Sequence, residues 1–232
     1  MIVSHKNRFI FLKTRKTAGT SIEISLRPYC GPDDIITRIT EDDGDGIVPG
    51  PQNYLFPRAD WPQAMAARWD KGWRPGAKRE DLKGIGYFGH VTASELRPRV
   101  GAAVFDSYFK FSIERNPWDR EVSMYFFKFK NEAKKPTFAE YIAGAKDIGN
   151  WDIYSIAGEV VTQAIIRYDR LADDLAKVTS DIGLPPVQVL SQAKSGFRPA
   201  AARDYRAMYD SRSRDLVSRL YAREIEHFGW QF

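Results

Sequence analysis

The chain has 232 residues, of which 43% are hydrophobic and 28% charged, a composition that suits a folded core and excludes a chain that is disordered throughout. Its net charge of +5 favours anionic partners, although charge alone does not separate nucleotides from nucleic acids or acidic lipids. The single cysteine, Cys30, excludes an intrachain disulfide, and the lack of a leader segment or of an apolar run of about 18 residues predicts a cytoplasmic protein without a membrane span.

The first predicted element is a strand at residues 8–13, where the residues are almost continuously apolar. A run of this kind is typical of a parallel strand that is covered on both faces, and the segment from Ala18 to Leu26 can then form a helix. Between them lies the sequence Lys13-Thr14-Arg15-Lys16-Thr17-Ala18-Gly19-Thr20-Ser21. Strand, loop and helix together form the first half of a predicted βαβ unit.

The loop after this strand is a candidate anion-binding site. Exposed amides at a helix N-terminus attract phosphate or sulfate, and Arg15 and Lys16 would add full positive charges. The spacing is not that of a nucleoside triphosphate P-loop, because Gly19 is followed by Thr20 rather than by a lysine. The residues therefore predict a loop that surrounds a tetrahedral oxyanion with amides, an ammonium group and hydroxyls.

From Cys30 to about Lys83 the sequence is rich in Pro, Gly, Asp and Trp, and we interpret this segment as an insertion. Its three tryptophans, Trp61, Trp69 and Trp73, argue against full disorder. They lie at helical intervals and leave two interpretations open, a part of the core or a platform on which sugar rings stack.

Two further strand-to-helix junctions are predicted, the first of them around His90. Residues 85–88 are a short strand candidate, and Thr92-Ala93-Ser94-Glu95 has the S/T-x-x-E form of a capping box at a helix start. His90 is therefore expected between a strand and a helix. The second junction follows residues 108–113, the next predicted strand, where Pro117 suits the first turn of a helix.

The helix after Pro117 divides into an apolar and a polar stripe. The apolar stripe, which we expect to face the core, consists of Trp118, Val122, Phe126 and Phe129. The polar stripe consists of Asn116, Arg120 and Ser123.

The rest of the pattern predicts a strand at residues 160–168, a helix capped by Asp169 that runs toward Gly183, and a last helix from about Ser211 to Gly229. Alternating strands and helices predict a single domain over residues 1–232, of the α/β class, with a three-layer sandwich around a mainly parallel central sheet. Ligands bind in such folds beyond the carboxyl ends of the strands. We therefore expect the three junctions to lie together at one edge of the sheet.

Three ordered segments resemble sulfotransferases that use 3'-phosphoadenosine 5'-phosphosulfate (PAPS), especially the carbohydrate sulfotransferase branch. Lys16-Thr17-Ala18-Gly19-Thr20-Ser21 is similar to the family's 5'-phosphosulfate loop, and Arg115-Asn116-Pro117-Trp118-Asp119-Arg120-Glu121-Val122-Ser123 is similar to its 3'-phosphate motif. Gly89-His90-Val91-Thr92-Ala93-Ser94-Glu95-Leu96 resembles the histidine-bearing junction between them. The resemblance implies a P-loop-like phosphosulfate-binding loop, PAPS as the sulfonate donor and a hydroxyl-bearing acceptor, with carbohydrate as the candidate class.

By position, the resemblance implies a role for each candidate residue. Lys16 would contact the bridging oxygen and the sulfonate and would stabilise the charge on the leaving phosphate. The 5'-phosphate would be held by Arg15, Lys16, Thr17, Ala18, Gly19, Thr20 and Ser21, and the 3'-phosphate by Arg115 and Ser123. His90 would be the general base for the acceptor hydroxyl, since a reference pKa of ~6.5 leaves much of the imidazole neutral. No metal is expected, because the transferred group carries little charge and the protein supplies the cations.

Other interpretations stay open. A nucleotide-dependent phosphotransferase would use the same loop but would need Mg²⁺ ligands, for which the sequence offers no convincing strand-end Asp. A nucleic-acid-binding module is suggested by Tyr125-Phe126-Phe127-Lys128-Phe129-Lys130, although the spacing favours a helix with buried rings, and we expect no nucleic-acid partner. An inactive family member that only binds nucleotide is a third alternative. Lys194, Arg198 and Arg203 form a basic cluster that either closes over the nucleotide or is a solvated run.

Overall fold

The structure is a computed structural model that describes residues 1–39, 49–188 and 198–232. Its main sheet has five strands, β1 (Ile2–Ser4), β2 (Phe9–Leu12), β3 (Ile35–Ile36), β4 (Phe109–Glu114) and β7 (Ala164–Arg167), which lie in the order β3-β1-β2-β4-β7. A separate small hairpin joins β5 (Ser155–Ile156) to β6 (Glu159–Val160). β1 is antiparallel to its neighbours β2 and β3, whereas β2, β4 and β7 are parallel. The prediction of an α/β fold with a mainly parallel central sheet is therefore confirmed.

The helices are α1 (Gly19–Leu26), α2 (Gln63–Asp70), α3 (Arg79–Leu82), α4 (Ala93–Val100), α5 (Ala102–Ser107), α6 (Pro117–Lys128), α7 (Phe138–Ala143), α8 (Trp151–Tyr154), α9 (Leu171–Asp181), α10 (Ser211–Leu220) and α11 (Ala222–Phe228). α1 follows β2 and α6 follows β4, so each of these helices starts near the carboxyl end of a parallel strand. None of the helices in the described residues is long and apolar enough to cross a membrane.

Alternate residues of a strand point to opposite faces of the sheet, and both faces of β2 are covered. On one face Leu12 lies in a cluster with Leu96 of α4. On the other face Phe11 lies in a cluster with Ile22 of α1 and Leu175 of α9. Because helices cover both faces, no position of β2 has to be polar, which explains its continuous apolar sequence.

The apolar stripe of α6 faces a third cluster, formed with α7, α10 and α11, as predicted. Trp118, Val122, Phe126 and Phe129 are all buried there, together with Tyr221 of the C-terminal region. A module that stacks nucleic-acid bases needs exposed rings. The burial of these rings therefore weakens the nucleic-acid-binding interpretation.

The prediction of a strand at residues 85–88 is wrong. Gly86 makes an isolated bridge with Leu55 of the insertion, and Tyr87 N donates to the carbonyl of Tyr54 at 2.7 Å. The backbone groups of this apolar segment are thus paired with a loop of the insertion instead of with the main sheet. The capping box that follows it is present, since Thr92 and Glu95 cap the start of α4 reciprocally.

The predictions for the second half of the chain hold in part. Residues 160–168 do not form one strand, because their first residue ends β6 and the main-sheet strand β7 is Ala164–Arg167. Asp169 does not cap α9; its carboxylate pairs with Arg167, 3.1 Å away, while Asp174 accepts the Arg167 N–H at 2.9 Å. The last predicted helix is two helices, α10 and α11, on either side of Tyr221.

The insertion contributes the edge strand β3 and the short helices α2 and α3, and residues 40–48 within it lie outside the described residues. Trp61 is 8% exposed, and its indole N–H donates to the carbonyl of Phe56 at 2.8 Å. Trp69 and Trp73 are only partly buried, and each carries an arginine guanidinium about 4 Å from its ring centre. One tryptophan therefore packs inside and two lie at the surface.

Candidate functional site

The loop between β2 and α1 has left-handed backbone at two positions, a pattern that can form an anion-binding concavity. Lys16 and Ala18 both have positive φ, 62° and 67°, on either side of Thr17. Alternation of this kind points successive amide N–H groups into one concave space. α1 starts at Gly19 with no side-chain cap and no acidic residue in its first turn. Its positive N-terminal end is therefore not neutralised from within the helix.

Lys13 lies beneath this loop and not at its mouth. The Lys13 side chain is 4% exposed, and its Nζ is 2.6 Å from Glu23 Oε2 in α1. A Cβ atom on Gly19 would come within 2.5 Å of Lys13 Cγ, so the start of α1 packs directly on this side chain. Burial raises the pKa of Glu23, but the Lys13 ammonium and, after it, the N-terminal amino group outweigh burial and lower the pKa to about 2. The carboxylate is thus charged and holds Lys13 inward.

The hydroxyl of Thr17 is also directed into the protein. Thr17 is fully buried, and its Oγ1 lies 2.8 Å from Thr14 Oγ1, which in turn donates to the carbonyl of Ile113 in β4. These bonds fasten the loop to the end of β4. Thr20 is half-buried, whereas Thr17 and Ser21 are buried.

Lys16 reaches across to α6. Its Nζ lies 4.0 Å from the ring centre of Phe127, a cation–π distance. Phe127 is four residues after Ser123 on α6, and side chains at this spacing share a helix face. The structure therefore brings Lys16 and Ser123 to the same face of α6.

Arg115 joins the two predicted phosphate elements. It follows β4 directly; its Nε is 2.7 Å from Asp119 Oδ2, and its Nη1 donates to the carbonyl of Lys16 at 3.4 Å. Its guanidinium also stacks 4.0 Å from the ring centre of Tyr168. Arg115 is only 8% exposed, so its position is fixed on several sides.

The predicted basic cluster is divided by the structure. Arg198 lies at the site, because its Nη1 is 2.6 Å from Asp119 Oδ1. Arg203 has an exposed side chain and touches Arg198 through its carbonyl, 2.9 Å from Arg198 Nη2. Lys194 lies outside the described residues. Asp119 thus receives two arginines, Arg115 and Arg198.

His90 faces the same loop from the start of α4. Its φ is +62°, an uncommon conformation for a residue other than glycine, and its Nδ1 is 2.8 Å from the carbonyl of Lys13. A carbonyl only accepts, so Nδ1 carries the proton and the lone pair is on Nε2. Burial, followed by the charges of Lys13 and Arg15, lowers the pKa of His90 well below its usual value. The imidazole is therefore neutral at physiological pH.

Two contacts thus bring the three junctions together, His90 to Lys13 and Arg115 to Lys16. Sequence reasoning missed Asp119, although a carboxylate four residues after an arginine on a helix is a readable signal. It also missed Asn150, whose carboxamide binds the backbone of Arg15. Nothing local in the sequence marks Asn150, because its partner is 135 residues away.

A sequence model of the sulfotransferase family matches residues 1–231. An uncharacterized protein of Archaeoglobus fulgidus is 32% identical over an alignment of 118 residues that covers 44% of this chain and 93% of that protein. No solved structure matches the chain. The described residues contain no group of three or more His, Cys, Asp or Glu side chains that could hold a metal ion.

Proposed function

Because this chain belongs to the sulfotransferase family, we propose that it transfers a sulfonate group from PAPS to a hydroxyl of an acceptor, with carbohydrate as the candidate acceptor class. The observation that carries the proposal is the contact between Arg115 and the carbonyl of Lys16. It joins the two predicted anion-binding elements in one place. PAPS has two separate anionic groups, a 5'-phosphosulfate and a 3'-phosphate, and a site with two such elements fits it.

The residues at the site have the chemistry that the donor needs. In the proposal, the P-loop-like segment from Lys16 to Ser21 binds the 5'-phosphosulfate through backbone amides at the start of α1. Arg115 and Ser123 bind the 3'-phosphate, and Arg198 adds a second guanidinium there. In the proposal, the positive charge that binds the two phosphates comes from protein side chains and from the amides at the start of α1.

His90 is the proposed general base. The donor supplies the sulfonate, bound through oxygen to a phosphate, and the acceptor hydroxyl loses its proton as it attacks sulfur. His90 Nε2 accepts that proton, because Nδ1 is bonded to the carbonyl of Lys13 and the imidazole is neutral. The φ of +62° at His90 is strained and is held by its surroundings, as is common at functional residues.

Lys16 is the proposed electrophilic residue. Its ammonium stabilises the negative charge that develops on the oxygen between sulfur and the leaving phosphate. Lys13 does not take this role in the proposal, because its ammonium is buried against Glu23. Lys16, in contrast, is only half-buried and lies on the surface of α6 beside Ser123.

A cleft of about 560 Å³ is the proposed place of the acceptor. Its wall includes Met124, Tyr141 and Ile148, and the carbonyl of Ile148 accepts a hydrogen bond from Arg15 Nη1 at 2.7 Å. Arg15, which directly precedes Lys16, thus contacts the wall of this cleft, whereas Lys16 and His90 themselves do not line it. An apolar wall with a few polar groups is typical of ligand pockets.

The donor assignment is tested by thermal unfolding with nucleotides. Adenosine 3',5'-bisphosphate, the desulfonated donor, should raise the melting temperature without added metal, because it binds only the folded protein. ATP with Mg²⁺ should raise it much less, since it lacks the 3'-phosphate. Equal stabilisation by ATP with Mg²⁺ would support the phosphotransferase alternative and contradict the proposal.

The base assignment is tested by His90→Asn, since Asn tolerates a positive φ. Transfer should fall roughly 10²- to 10⁴-fold, the range for loss of a general base. The affinity for adenosine 3',5'-bisphosphate should change little. A comparable loss of nucleotide affinity would show that His90 is a structural or nucleotide-contacting residue instead.

A further inference from the structure

We propose that Asn150, which lies between the end of α7 and α8, is a positioning residue that holds the donor loop in its anion-binding conformation. This inference rests on the proposed function, because it concerns the loop that binds the 5'-phosphosulfate. Asn150 lies far from the three motifs in the sequence, and its side chain is fully buried. It acts through the backbone of Arg15 and does not touch the donor.

The carboxamide of Asn150 pairs with both backbone groups of Arg15. Asn150 Oδ1 accepts the N–H of Arg15 at 2.9 Å, and Asn150 Nδ2 donates to the carbonyl of Arg15 at 3.1 Å. A single side chain thus satisfies the two groups that a neighbouring strand would otherwise pair. Arg15 directly precedes Lys16, whose φ is +62°. The bidentate pair fixes the residue before the first strained position of the loop.

Glu114 connects this clamp to the other half of the site. Asn150 Nδ2 lies 3.3 Å from Glu114 Oε1, and the same oxygen accepts from the N–H of Arg115 at 2.8 Å and from Arg120 Nη1 at 2.7 Å. Glu114 and Arg120 are fully buried, so these bonds do not compete with water. Asn150 therefore ties the donor loop to the end of β4, which carries Arg115.

The side chain of Arg15 is held by the same segment. Arg15 Nη1 donates to the carbonyl of Ile148 at 2.7 Å, two residues before Asn150. Residues 148–150 thus bind Arg15 at its backbone and at its guanidinium. In this arrangement Arg15 anchors the loop, and the backbone amides that follow Arg15 bind the 5'-phosphate of the donor.

The inference predicts a selective loss of binding. Without the Asn150 carboxamide the loop loses its pairing at Arg15, so the loop amides proposed to bind the 5'-phosphate no longer converge. Arg115 keeps its bond to Asp119. Ligands that depend on the 5'-phosphate should bind roughly tenfold more weakly, the scale of losing hydrogen bonds of this strength. A ligand with only a 3'-phosphate should bind within about twofold of wild type.

The experiment measures dissociation constants of adenosine 5'-monophosphate, adenosine 3'-monophosphate and adenosine 3',5'-bisphosphate for the wild-type chain, two Asn150 variants and one control variant. Asn150→Ala removes the clamp, and Asn150→Asp keeps its shape and its acceptor but places a carboxylate oxygen against the Arg15 carbonyl and Glu114. Gln163→Ala is the matched control, because Gln163 Oε1 also accepts a backbone N–H, that of Lys110, at the opposite end of β4.

Weaker binding of the 5'-monophosphate and the bisphosphate in both Asn150 variants, with the 3'-monophosphate and the Gln163→Ala control unchanged, supports the inference. Equal weakening of the two monophosphates overturns it, because a general structural defect would act on both. Failure of both variants to fold also overturns it, since Asn150 would then be a folding residue. If wild type itself binds none of the three nucleotides, the proposed function fails instead.

Discussion

The loop after β2 offers backbone amides at a helix N-terminus that has no acidic residue in its first turn, whereas the end of β4 offers guanidinium groups that share the carboxylate of Asp119. Both regions are proposed to bind phosphate, and they would do so with different groups. The loop after β2, which we call the backbone half of the site, has oriented amide dipoles and a nearby ammonium group on Lys16. The end of β4, which we call the side-chain half, has full charges on Arg115 and Arg198 that are paired with Asp119.

The two halves are therefore sensitive to different substitutions. No single side chain supplies the amides of the backbone half, so it depends on the shape of the loop. That shape depends on the close packing of Gly19 on Lys13 and on Asn150, which does not touch the donor. The side-chain half depends on individual side chains, above all that of Arg115. A phosphate that enters it must also compete with Asp119 for the same hydrogen bonds.

Arg115→Ala should have the largest effect on binding. Removing one member of a hydrogen-bonded charge pair costs roughly 2–5 kcal/mol, so adenosine 3',5'-bisphosphate should lose at least about 30-fold in affinity by calorimetry. Adenosine 5'-monophosphate should lose little. The control Arg97→Ala removes an exposed pair with Asp106 and should change neither. A matching loss for the 5'-monophosphate would show that the two halves are not separate.

Gly19→Ala should damage the backbone half through shape alone. The new Cβ would come within 2.5 Å of Lys13 Cγ, and overpacking of a buried site costs roughly 1–3 kcal/mol. Both the free energy of unfolding and the affinity for adenosine 5'-monophosphate should fall. Gly50→Ala is the matched control, because a Cβ there meets nothing within 4 Å. Unchanged 5'-monophosphate binding in Gly19→Ala would mean that loop shape does not set this affinity.

The parts of the fold that could be predicted are those with local causes. β2 has an apolar sequence because both its faces are covered, and α1 follows it within a few residues. The capping box of Thr92 and the apolar stripe that begins at Trp118 depend on spacing along one helix. Such patterns are complete within a short window of sequence, so they could be recognised there.

The parts that could not be predicted depend on distant partners. Residues 85–88 have the apolar composition of a strand, but their backbone pairs with residues 54–56 of the insertion. Arg120 was expected on a polar stripe, yet it is fully buried because Glu114 receives its guanidinium. The clamp on Arg15 has the same origin, since Asn150 reaches it only in the folded chain. Periodicity carries no information about such pairs.

The pH dependence of the free energy of unfolding should show that His90 is held in its neutral form beside the loop of the backbone half. Burial, then the charges of Lys13 and Arg15, keep the pKa of His90 well below its usual value. As the pH falls, the unfolded chain therefore protonates His90 at a higher pH than the folded chain does. The contribution of His90 to stability is complete above pH ~6.5, and below that pH it falls by up to ~1.4 kcal/mol per pH unit.

The measurement compares wild type with His90→Asn in urea at two values, about pH 7.5 and about pH 5.5. Wild type should lose about 1 kcal/mol more than the variant over this range. The comparison with the variant cancels other groups that titrate there, such as the N-terminal amine, whose pKa burial lowers to about 5. An equal loss in both proteins would mean that His90 takes up its proton in the folded state as readily as in the unfolded one.

Asp119→Asn should have the smallest effect and the most direct bearing on the side-chain half. The carboxylate lies 2.7 Å from Arg115 and 2.6 Å from Arg198, where it occupies donors that a phosphate needs and repels the phosphate charge. An amide keeps the shape and removes the charge, so adenosine 3',5'-bisphosphate should bind roughly two- to fivefold more tightly at fixed ionic strength.

Adenosine 5'-monophosphate is the internal control for Asp119→Asn, since its binding should not change, and Asp106→Asn is the control for an exposed pair. The sign of the change decides between two roles for the carboxylate. Tighter binding shows that Asp119 chiefly competes with the phosphate. Weaker binding of the bisphosphate shows that it chiefly orients the two guanidinium groups, and the side-chain half would then be preorganised in the same sense as the backbone half.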